Sequence, residues 1–222
     1  MQIEHCNFPD NLLYDTENNT WVNLSKTGEV LVGITSLLAS LAGRLVQLRP
    51  KPVGSTVTKG ASLGTLESEK FVGPVPSPLT GVILEINGQV VQNPKILNDA
   101  PYSEGWIAKL MPARLGSEAP ILSSIEDAEK AFKRDIVAHH VRCFKLFPDQ
   151  ELYEIGVECS AVLTKLNEEL SLLPVGGVVH VVSDDSTALV EMVRWTDLSG
   201  QSLIEWRTEG NLTHFIVQKS RA

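Results

Sequence analysis

The sequence of 222 residues contains no apolar run long enough to cross a lipid bilayer and no segment typical of secretion. A stretch without a charged residue runs from Val30 to Gly43, and none is longer, well short of the roughly 20 apolar residues that a membrane helix needs. The first ten residues include Glu4, His5 and Asp10 rather than a basic region followed by an apolar one. We therefore expect a cytoplasmic protein without membrane insertion.

Basic residues are scarce, with 19 Lys and Arg against 27 Asp and Glu and a net charge of −8. The acidic excess lies in residues 116–222, which hold 10 basic and 17 acidic residues, whereas residues 1–115 hold 9 and 10. Nucleic acids are therefore not expected as partners, because they are bound mainly through Lys and Arg. The 43% hydrophobic and 21% charged content is typical of folded protein, and the length allows two domains.

Cysteine is nearly absent. Cys6, Cys143 and Cys159 cannot all pair within one chain, and their spacing is too wide for a zinc knuckle. We interpret all three as thiols. His139 and His140 precede Cys143, but no second ligand cluster accompanies them, so the sequence predicts no metal site.

The region from Trp21 to Leu110 consists of short apolar runs separated by Gly, Pro and Asn, which predicts an all-β sandwich or barrel. A weak duplication of residues 43–57 in residues 81–91 places two similar half-sheets on either side of Lys70. Short helical segments are expected at Ser36–Ala42 and near 93–98. The predicted strands are 29–33, 44–48, 63–66, 81–86 and 105–110.

The character of the sequence changes after Pro112. Ser123-Ser124 followed by Glu126-Asp127 is a capping box before a connecting helix. From residue 150 onward the pattern predicts a two-layer α/β sandwich with the order βαβαββ. Its predicted elements are a strand at 151–158, a helix from Cys159 to Pro174, a buried strand at 178–182, a helix after Asp184-Asp185-Ser186, and strands at 202–206 and 214–218.

Lys70 lies at a predicted bend between two short strands, within Glu67-Ser68-Glu69-Lys70-Phe71. A single exposed lysine is usually only a solvated charge. Here the bend is bracketed by a Gly-rich run and by Gly73-Pro74-Val75-Pro76, so a rigid hairpin would hold the amine away from the core. This arrangement favours a lysine displayed for covalent modification.

Several segments around Lys70 belong to one extended pattern, namely Trp21-Val22, 32–35, 53–60, 67–70, 77–81, Asn93-Pro94 and 99–106. On these segments residues 7–115 resemble the H protein of the glycine cleavage system, a lipoyl-carrying member of the biotinyl/lipoyl-domain superfamily. The resemblance implies an N-terminal all-β lipoyl domain, a barrel-sandwich hybrid with short helices, that bears lipoic acid in amide linkage on Lys70. Biotin is disfavoured, because biotin carriers place Met on both sides of the lysine and this chain has Glu69 and Phe71.

The run after Lys70 departs from the glycine-cleavage pattern, which typically has Ala and then a small-polar and acidic stretch. Together with Cys6-Asn7-Phe8-Pro9, the Gly-Pro-Val run is closer to lipoate-binding proteins that act with a heterodisulfide-reductase-like complex in sulfur oxidation. A stiff hairpin flank would by itself explain the prolines. Implied partners are a lipoate ligase, dihydrolipoamide dehydrogenase, and either that complex or the glycine-cleavage enzymes.

Three features mark residues 150–222, namely Glu154-Ile155-Gly156-Val157-Glu158-Cys159 ahead of the first helix, Val181-Val182-Ser183-Asp184-Asp185 at the end of the second strand, and a closing hairpin. On these features the region resembles the TusA/SirA-like sulfur-carrier family, in which a cysteine carries a persulfide. That cysteine corresponds to Cys159, and a thiolate is favoured at a helix N-terminus. The family continues Cys-Pro-x-Pro, whereas this chain has Cys159-Ser160-Ala161-Val162. Cys159 is therefore either a sulfur acceptor or a partly buried residue in a docking domain.

These observations predict a lipoyl domain over residues 1–115, a linker with a helix over 116–149, and a TusA-like domain over 150–222. The expected function is that of a covalent-cofactor carrier rather than an enzyme, shuttling electrons or sulfur intermediates in sulfur oxidation. The alternatives are a glycine-cleavage H protein carrying an aminomethyl group, and a sulfurtransferase or sulfur carrier acting through Cys159.

Overall fold

The computed structural model describes residues 1–221 and divides into two compact units, Met1–Cys143 and the part of the chain from Phe144 onward. Within residues 1–221, no helix is long and apolar enough to pass through a membrane.

The first unit is built mainly of antiparallel strands, as the alternation of short apolar runs predicted. The strands are β1 Gln2–Ile3, β2 Cys6–Asn7, β3 Leu13–Asp15, β4 Thr20–Leu24, β5 Val30–Ile34, β6 Leu45–Pro50, β7 Thr56–Val57, β8 Ser62–Ser68, β9 Val72–Pro76, β10 Gly81–Ile86 and β11 Trp106–Pro112. A six-stranded sheet has the order β3-β4-β5-β11-β10-β7, a three-stranded sheet has the order β6-β8-β9, and β1 and β2 form a hairpin.

Apolar side chains from both larger sheets form one buried core, to which Val32 and Leu110 contribute from one sheet and Leu66 and Val75 from the other. Burial of these side chains is the main force that holds the two sheets together. Residues 1–115 are thus all-β with short helices, as predicted.

Short helices connect the strands. The predicted helix Ser36–Ala42 is present with those bounds, and Thr35 caps it by accepting a hydrogen bond from the backbone N–H of Leu38. The predicted duplication holds only in part, since residues 88–92 are helical rather than extended, with the Asn87 side chain as their N-cap. The helices are α1 Ser36–Ala42, α2 Gly88–Gln92, α3 Ile96–Asp99, α4 Leu115–Glu118 and α5 Ile125–Ala138, with a 3₁₀ turn at Ala119–Ile121.

Helix α5 begins at the predicted cap, where the Ser124 side chain accepts a hydrogen bond from the N–H of Asp127. The helix packs against the first unit through Phe132. Phe132 stacks on Phe8 at 4.4 Å between ring centroids and meets Tyr14 edge-on at 5.5 Å. The structure therefore divides the chain after Cys143, whereas the sequence placed residues 116–149 in a linker.

Cys6 and Cys143, which the sequence analysis interpreted as thiols, are joined by a disulfide bond with a Cα–Cα distance of 5.0 Å. That interpretation was wrong for these two residues, because it used sequence spacing, and the fold brings together two cysteines 137 positions apart. Cys143 is consequently not available as a metal ligand beside His139 and His140.

The second unit has the predicted βαβαββ order. Its elements are β12 Gln150–Glu154, α6 Cys159–Leu172, β13 Val178–Ser183, α7 Ala188–Ser199, β14 Ser202–Glu209 and β15 Leu212–Gln218. The sheet order is β12-β13-β15-β14, with β12 parallel to β13, the remaining pairs antiparallel, and every residue of the inner strand β13 buried. Side chains from both helices, including Leu166 and Met192, pack against Val181 and Phe215 of the sheet.

Candidate functional site

Lys70 lies in the tight turn between β8 and β9, where the sequence predicted a bend. Strand β8 ends at Ser68 and β9 begins at Val72, and Glu69 and Lys70 are both exposed. The N–H of Ser68 donates a 2.8 Å hydrogen bond to the carbonyl oxygen of Phe71, which closes the turn. The fold thus presents the lysine at the end of a β-hairpin.

The buried hydroxyl of Ser68 fixes the backbone of this turn. Its oxygen accepts hydrogen bonds from the N–H of Lys70 at 3.1 Å and of Phe71 at 3.0 Å. The same hydroxyl donates a 2.6 Å hydrogen bond to the carbonyl oxygen of Ala42, at the end of α1. One side chain therefore connects the lysine turn to a helix on a separate part of the chain.

Phe71 provides a second anchor, because its ring packs against the core of the first unit. The ring lies over Gly73, where an added Cβ would come within 2.3 Å of its Cζ atom. Gly73 therefore leaves the space that the Phe71 ring fills. This gives the Gly-Pro-Val run a structural role next to Lys70.

The prolines after Lys70 are compatible with the sheet because β9 is an edge strand of the three-stranded sheet. Proline cannot donate a ladder hydrogen bond and is confined largely to edges and bulges. Pro74 and Pro76 pair with Thr65 and Ser62, and the register shifts between these two pairs. Both prolines stiffen the strand that follows the lysine.

Exposed apolar side chains flank the turn, a feature that the sequence analysis did not identify. Val72 is 68% exposed, Val46 is 47% exposed and Leu41 is 41% exposed. Val46 follows Leu45, which pairs with Ser68, and Leu41 precedes Ala42, which accepts the hydrogen bond of Ser68. No periodic pattern marks these residues, since they come from three separate elements.

Cys159, the other predicted site residue, begins helix α6 and is only 5% exposed. Burial raises the pKa of its thiol, and the carboxylates of Asp185 and Glu191 raise it further. Asp185 also accepts a 2.9 Å hydrogen bond from the backbone N–H of Cys159, so a carboxylate already lies at the start of the helix. This environment favours the neutral thiol over the thiolate.

His180 is buried in β13 at 2% exposure. Its Nε2 lies 2.9 Å from Nδ1 of His214, which is also buried. The two imidazoles stack with their ring centroids 5.2 Å apart. His180 and Val181 are consecutive in β13, so their side chains point to opposite faces of the sheet. Val181 packs in the cluster that contains Cys159, and the buried histidine pair therefore lies on the other face from Cys159.

A lysine held at the end of a rigid β-hairpin in an all-β sandwich is an arrangement suited to carrying a covalently attached group. The model of the family described as glycine cleavage H-protein matches residues 12–135, which is more than half of the chain and includes Lys70. The chain belongs to the glycine cleavage H-protein family. Proteins of this family carry lipoic acid on a lysine and are carriers rather than enzymes.

Two relatives with similar sequences agree with this assignment, one from Aquifex aeolicus and one from Saccharolobus solfataricus. Glycine cleavage system H protein 2 of Aquifex aeolicus is 39% identical over 138 residues, covering 62% of this chain and 86% of that protein. Probable glycine cleavage system H protein 2 of Saccharolobus solfataricus is 36% identical over 144 residues, covering 64% and 97%. The crystal structure of a glycine cleavage system H protein from Mycobacterium marinum is 31% identical, with a TM-score of 0.49, covering 55% of this chain and 98% of that one.

The family match ends at residue 135, before the second unit begins at Phe144. The resemblance of residues 150–222 to sulfur carriers therefore stays a prediction.

Proposed function

We propose that Lys70 is the residue that bears the lipoyl group and that the chain acts as a lipoyl carrier. The observation that carries this proposal is the exposed position of Lys70 on a turn whose backbone is fixed by Ser68 and Phe71. A modifying ligase must reach the ε-amine without unfolding the domain, and a rigid, protruding turn allows that at little entropic cost.

Amide formation with lipoic acid removes the positive charge of Lys70 and adds a five-membered cyclic disulfide at the end of a long arm. This disulfide accepts two electrons on opening to a dithiol, and thiol exchange attaches or releases sulfur-bound fragments. The protein supplies a fixed base for the arm, and partner enzymes supply the catalytic groups. We infer that it shuttles electrons or sulfur-bound intermediates between enzymes of the cytoplasm.

For the pathway, we propose sulfur oxidation with a heterodisulfide-reductase-like complex as partner. Two features support this choice. The Gly73-Pro74-Val75-Pro76 run departs from the glycine-cleavage pattern, and Phe71 packs over Gly73 within it. The second unit has the βαβαββ order that the resemblance to sulfur carriers implies, and a domain of that fold joined to a lipoyl carrier suits a pathway of sulfur chemistry, whether it carries sulfur or docks a partner.

The second candidate is a glycine-cleavage H protein that carries an aminomethyl group, which the names of the relatives favour. Those in Aquifex aeolicus are numbered 2, 3 and 5, so that organism has several such proteins, and a single pathway does not require several carriers. The two candidates are separated by presenting the lipoylated chain to glycine decarboxylase and to a heterodisulfide-reductase-like complex. Turnover with the first alone would reject the sulfur-oxidation proposal.

For the second unit, we propose a docking role, because the environment of Cys159 disfavours the thiolate that sulfur transfer needs. The alternative is a persulfide carrier. Incubation with a cysteine desulfurase and a persulfide-selective label distinguishes the two, with Cys159→Ser as the control. Label that appears on the wild type and disappears in Cys159→Ser would overturn the docking role.

The test of lipoylation is intact-mass measurement after co-expression with a lipoate ligase. We expect one added lipoyl group on the wild type and none on Lys70→Arg. Lys51→Arg is the matched control, since Lys51 is an exposed lysine that follows β6 of the same small sheet, and it should be modified like the wild type. A lipoyl group on Lys70→Arg, or an unmodified wild type, would reject the proposal.

A further inference from the structure

We propose that the Cys6–Cys143 disulfide is a second redox site of this chain and that it exchanges electrons with small dithiols of the dihydrolipoyl class. The proposal goes beyond the lipoyl-carrier function and does not depend on modification of Lys70. It rests on the unequal exposure of the two sulfurs, on the contact of one of them with Ser40, and on where the bond lies in the chain.

The two cysteines of the bond differ in access. Cys6 lies in β2 and is completely buried, packed with Phe8 and Phe132, whereas Cys143 is only partly buried at the edge of the same cluster. Thiol–disulfide exchange requires a thiolate to approach one sulfur directly. The geometry therefore selects Sγ of Cys143 as the atom that an incoming thiolate attacks.

The surroundings of Cys143 also favour its departure as a thiolate. The hydroxyl oxygen of Ser40 in α1 lies 3.7 Å from Sγ of Cys143. A disulfide sulfur has no proton, so Ser40 is the donor in this contact and can keep donating to the thiolate that forms.

The burial of Cys6 determines which reductant is effective. A monothiol that attacks Cys143 forms a mixed disulfide with it. Because the core holds the Cys6 thiol in place beside this mixed disulfide, Cys6 attacks it, expels the monothiol and re-forms the original bond. A dithiol escapes this reversal, because its second thiol lies in the same molecule and displaces Cys143 at high effective concentration. The expected reductant is thus a dithiol that closes to a cyclic disulfide.

The exchange is balanced in two steps. One thiolate of the dithiol bonds to Sγ of Cys143, the Cys6–Cys143 bond breaks, and Cys6 leaves as a thiolate that takes up a proton. The second thiolate then attacks the dithiol's own sulfur in the mixed disulfide, the ring closes, and Cys143 leaves as a thiolate that takes up a proton. Two electrons and two protons pass from the dithiol to the protein.

The position of the bond gives this exchange a structural consequence. Cys143 is the last residue of the first unit, and the chain enters the second unit at Phe144. After α5 ends, the N–H of Val141 donates a 2.9 Å hydrogen bond to the carbonyl oxygen of Ile136, and the disulfide follows two residues later. Opening the bond removes the covalent link between Cys143 and the N-terminal hairpin.

The experiment uses the full-length Lys70→Arg chain, so its result is independent of lipoylation. The folded, oxidised protein is incubated with dihydrolipoamide, and its thiols are trapped with N-ethylmaleimide and counted by mass. We expect two additional labels, mapped to Cys6 and Cys143, and a rate at least about tenfold slower with glutathione at equal thiol concentration. Trypsin cleavage after Arg142 should become faster on reduction.

Ser40→Ala tests the role of the hydroxyl. Loss of one hydrogen bond to the departing thiolate should slow reduction by dihydrolipoamide about fivefold. Ser117→Ala is the control, because Ser117 is exposed and its hydroxyl donates to the carbonyl oxygen of Arg114. An unchanged rate in Ser40→Ala would overturn the assignment of Cys143 as the departing thiolate.

Two results would overturn the proposal as a whole. One is a folded chain that gains no label from dihydrolipoamide while the urea-unfolded chain gains two, which would make the bond a structural crosslink only. The other is three labels on the unfolded chain without any reductant, which would mean that the bond does not form.

Discussion

The hydroxyl of Ser68 donates a 2.6 Å hydrogen bond to the carbonyl oxygen of Ala42, joining the lysine turn to the end of helix α1. These two residues are 26 positions apart in the sequence. Since the same hydroxyl accepts hydrogen bonds from the N–H groups of Lys70 and Phe71, it controls both the position and the shape of the turn.

Replacing Ser68 by Ala should destabilise the first unit by about 1–3 kcal/mol, because buried groups lose their hydrogen-bond partner. It should also lower kcat/KM for lipoylation of Lys70, since the ligase then meets a less ordered turn. Urea unfolding and initial rates with a lipoate ligase measure the two effects. Ser62→Ala is the control, because Ser62 lies on the same strand but bonds to Gly64, and its lipoylation rate should equal that of the wild type.

Replacing Gly73 by Ala should destabilise the first unit by about 1–3 kcal/mol, the usual cost of an overpacked site. The new Cβ would meet the Phe71 ring at 2.3 Å and displace it from the core. Thermal unfolding measures the loss, and Phe71→Ala combined with Gly73→Ala should cost less than the sum of the two single changes. Gly88→Ala, where nothing lies within 4 Å of the new atom, should be neutral or slightly stabilising, and an equal loss there would contradict the explanation.

Breaking the Cys6–Cys143 bond should lower the free energy of unfolding of the first unit by about 3–5 kcal/mol, because the bond closes a long loop in the unfolded chain. Cys6→Ala and Cys143→Ala should show similar losses in urea without reductant, since each removes the same bond. Reductant should lower the stability of the wild type and leave both variants unchanged. Equal stability of all three proteins without reductant would show that the crosslink does not contribute.

The thiol of Cys159 should react slowly with iodoacetamide near neutral pH and faster as the pH rises. Burial and the carboxylates of Asp185 and Glu191 raise its pKa, so the reactive thiolate is a small fraction until the solution becomes clearly alkaline. In the oxidised wild type Cys159 is the cysteine outside the disulfide, which makes the label specific. Asp185→Asn removes one negative charge and should increase the rate at fixed pH, whereas a slower reaction would contradict this electrostatic account.

Features that depend on neighbouring residues were predictable. The bend at Lys70, the helix Ser36–Ala42, the Ser124 cap and the order βαβαββ are all present. Each follows from short-range rules, namely the alternation of apolar residues, the backbone limits of Gly and Pro, and hydrogen bonds between a capping side chain and the next turn.

Features that depend on distant residues were missed. The sequence placed helix α5 in a linker, but Phe132 of this helix stacks on Phe8, which lies near the other end of the first unit's sequence. It left Cys159 open between a sulfur acceptor and a partly buried residue, because the carboxylates of Asp185 and Glu191, which raise the pKa of the thiol, lie 26 and 32 positions further along. Neither effect leaves a signal in the local pattern.

The sequence by itself determined where Lys70 is displayed and which stretches become strands and helices, because those choices depend on the residues immediately around them. Only the tertiary structure decided that Cys6 pairs with Cys143 and that Ser68 bonds to Ala42. Such contacts form because burial of the whole core brings distant segments of the chain together. The free energy of that burial comes from many side chains, so the residues around either contact partner do not predict the pairing.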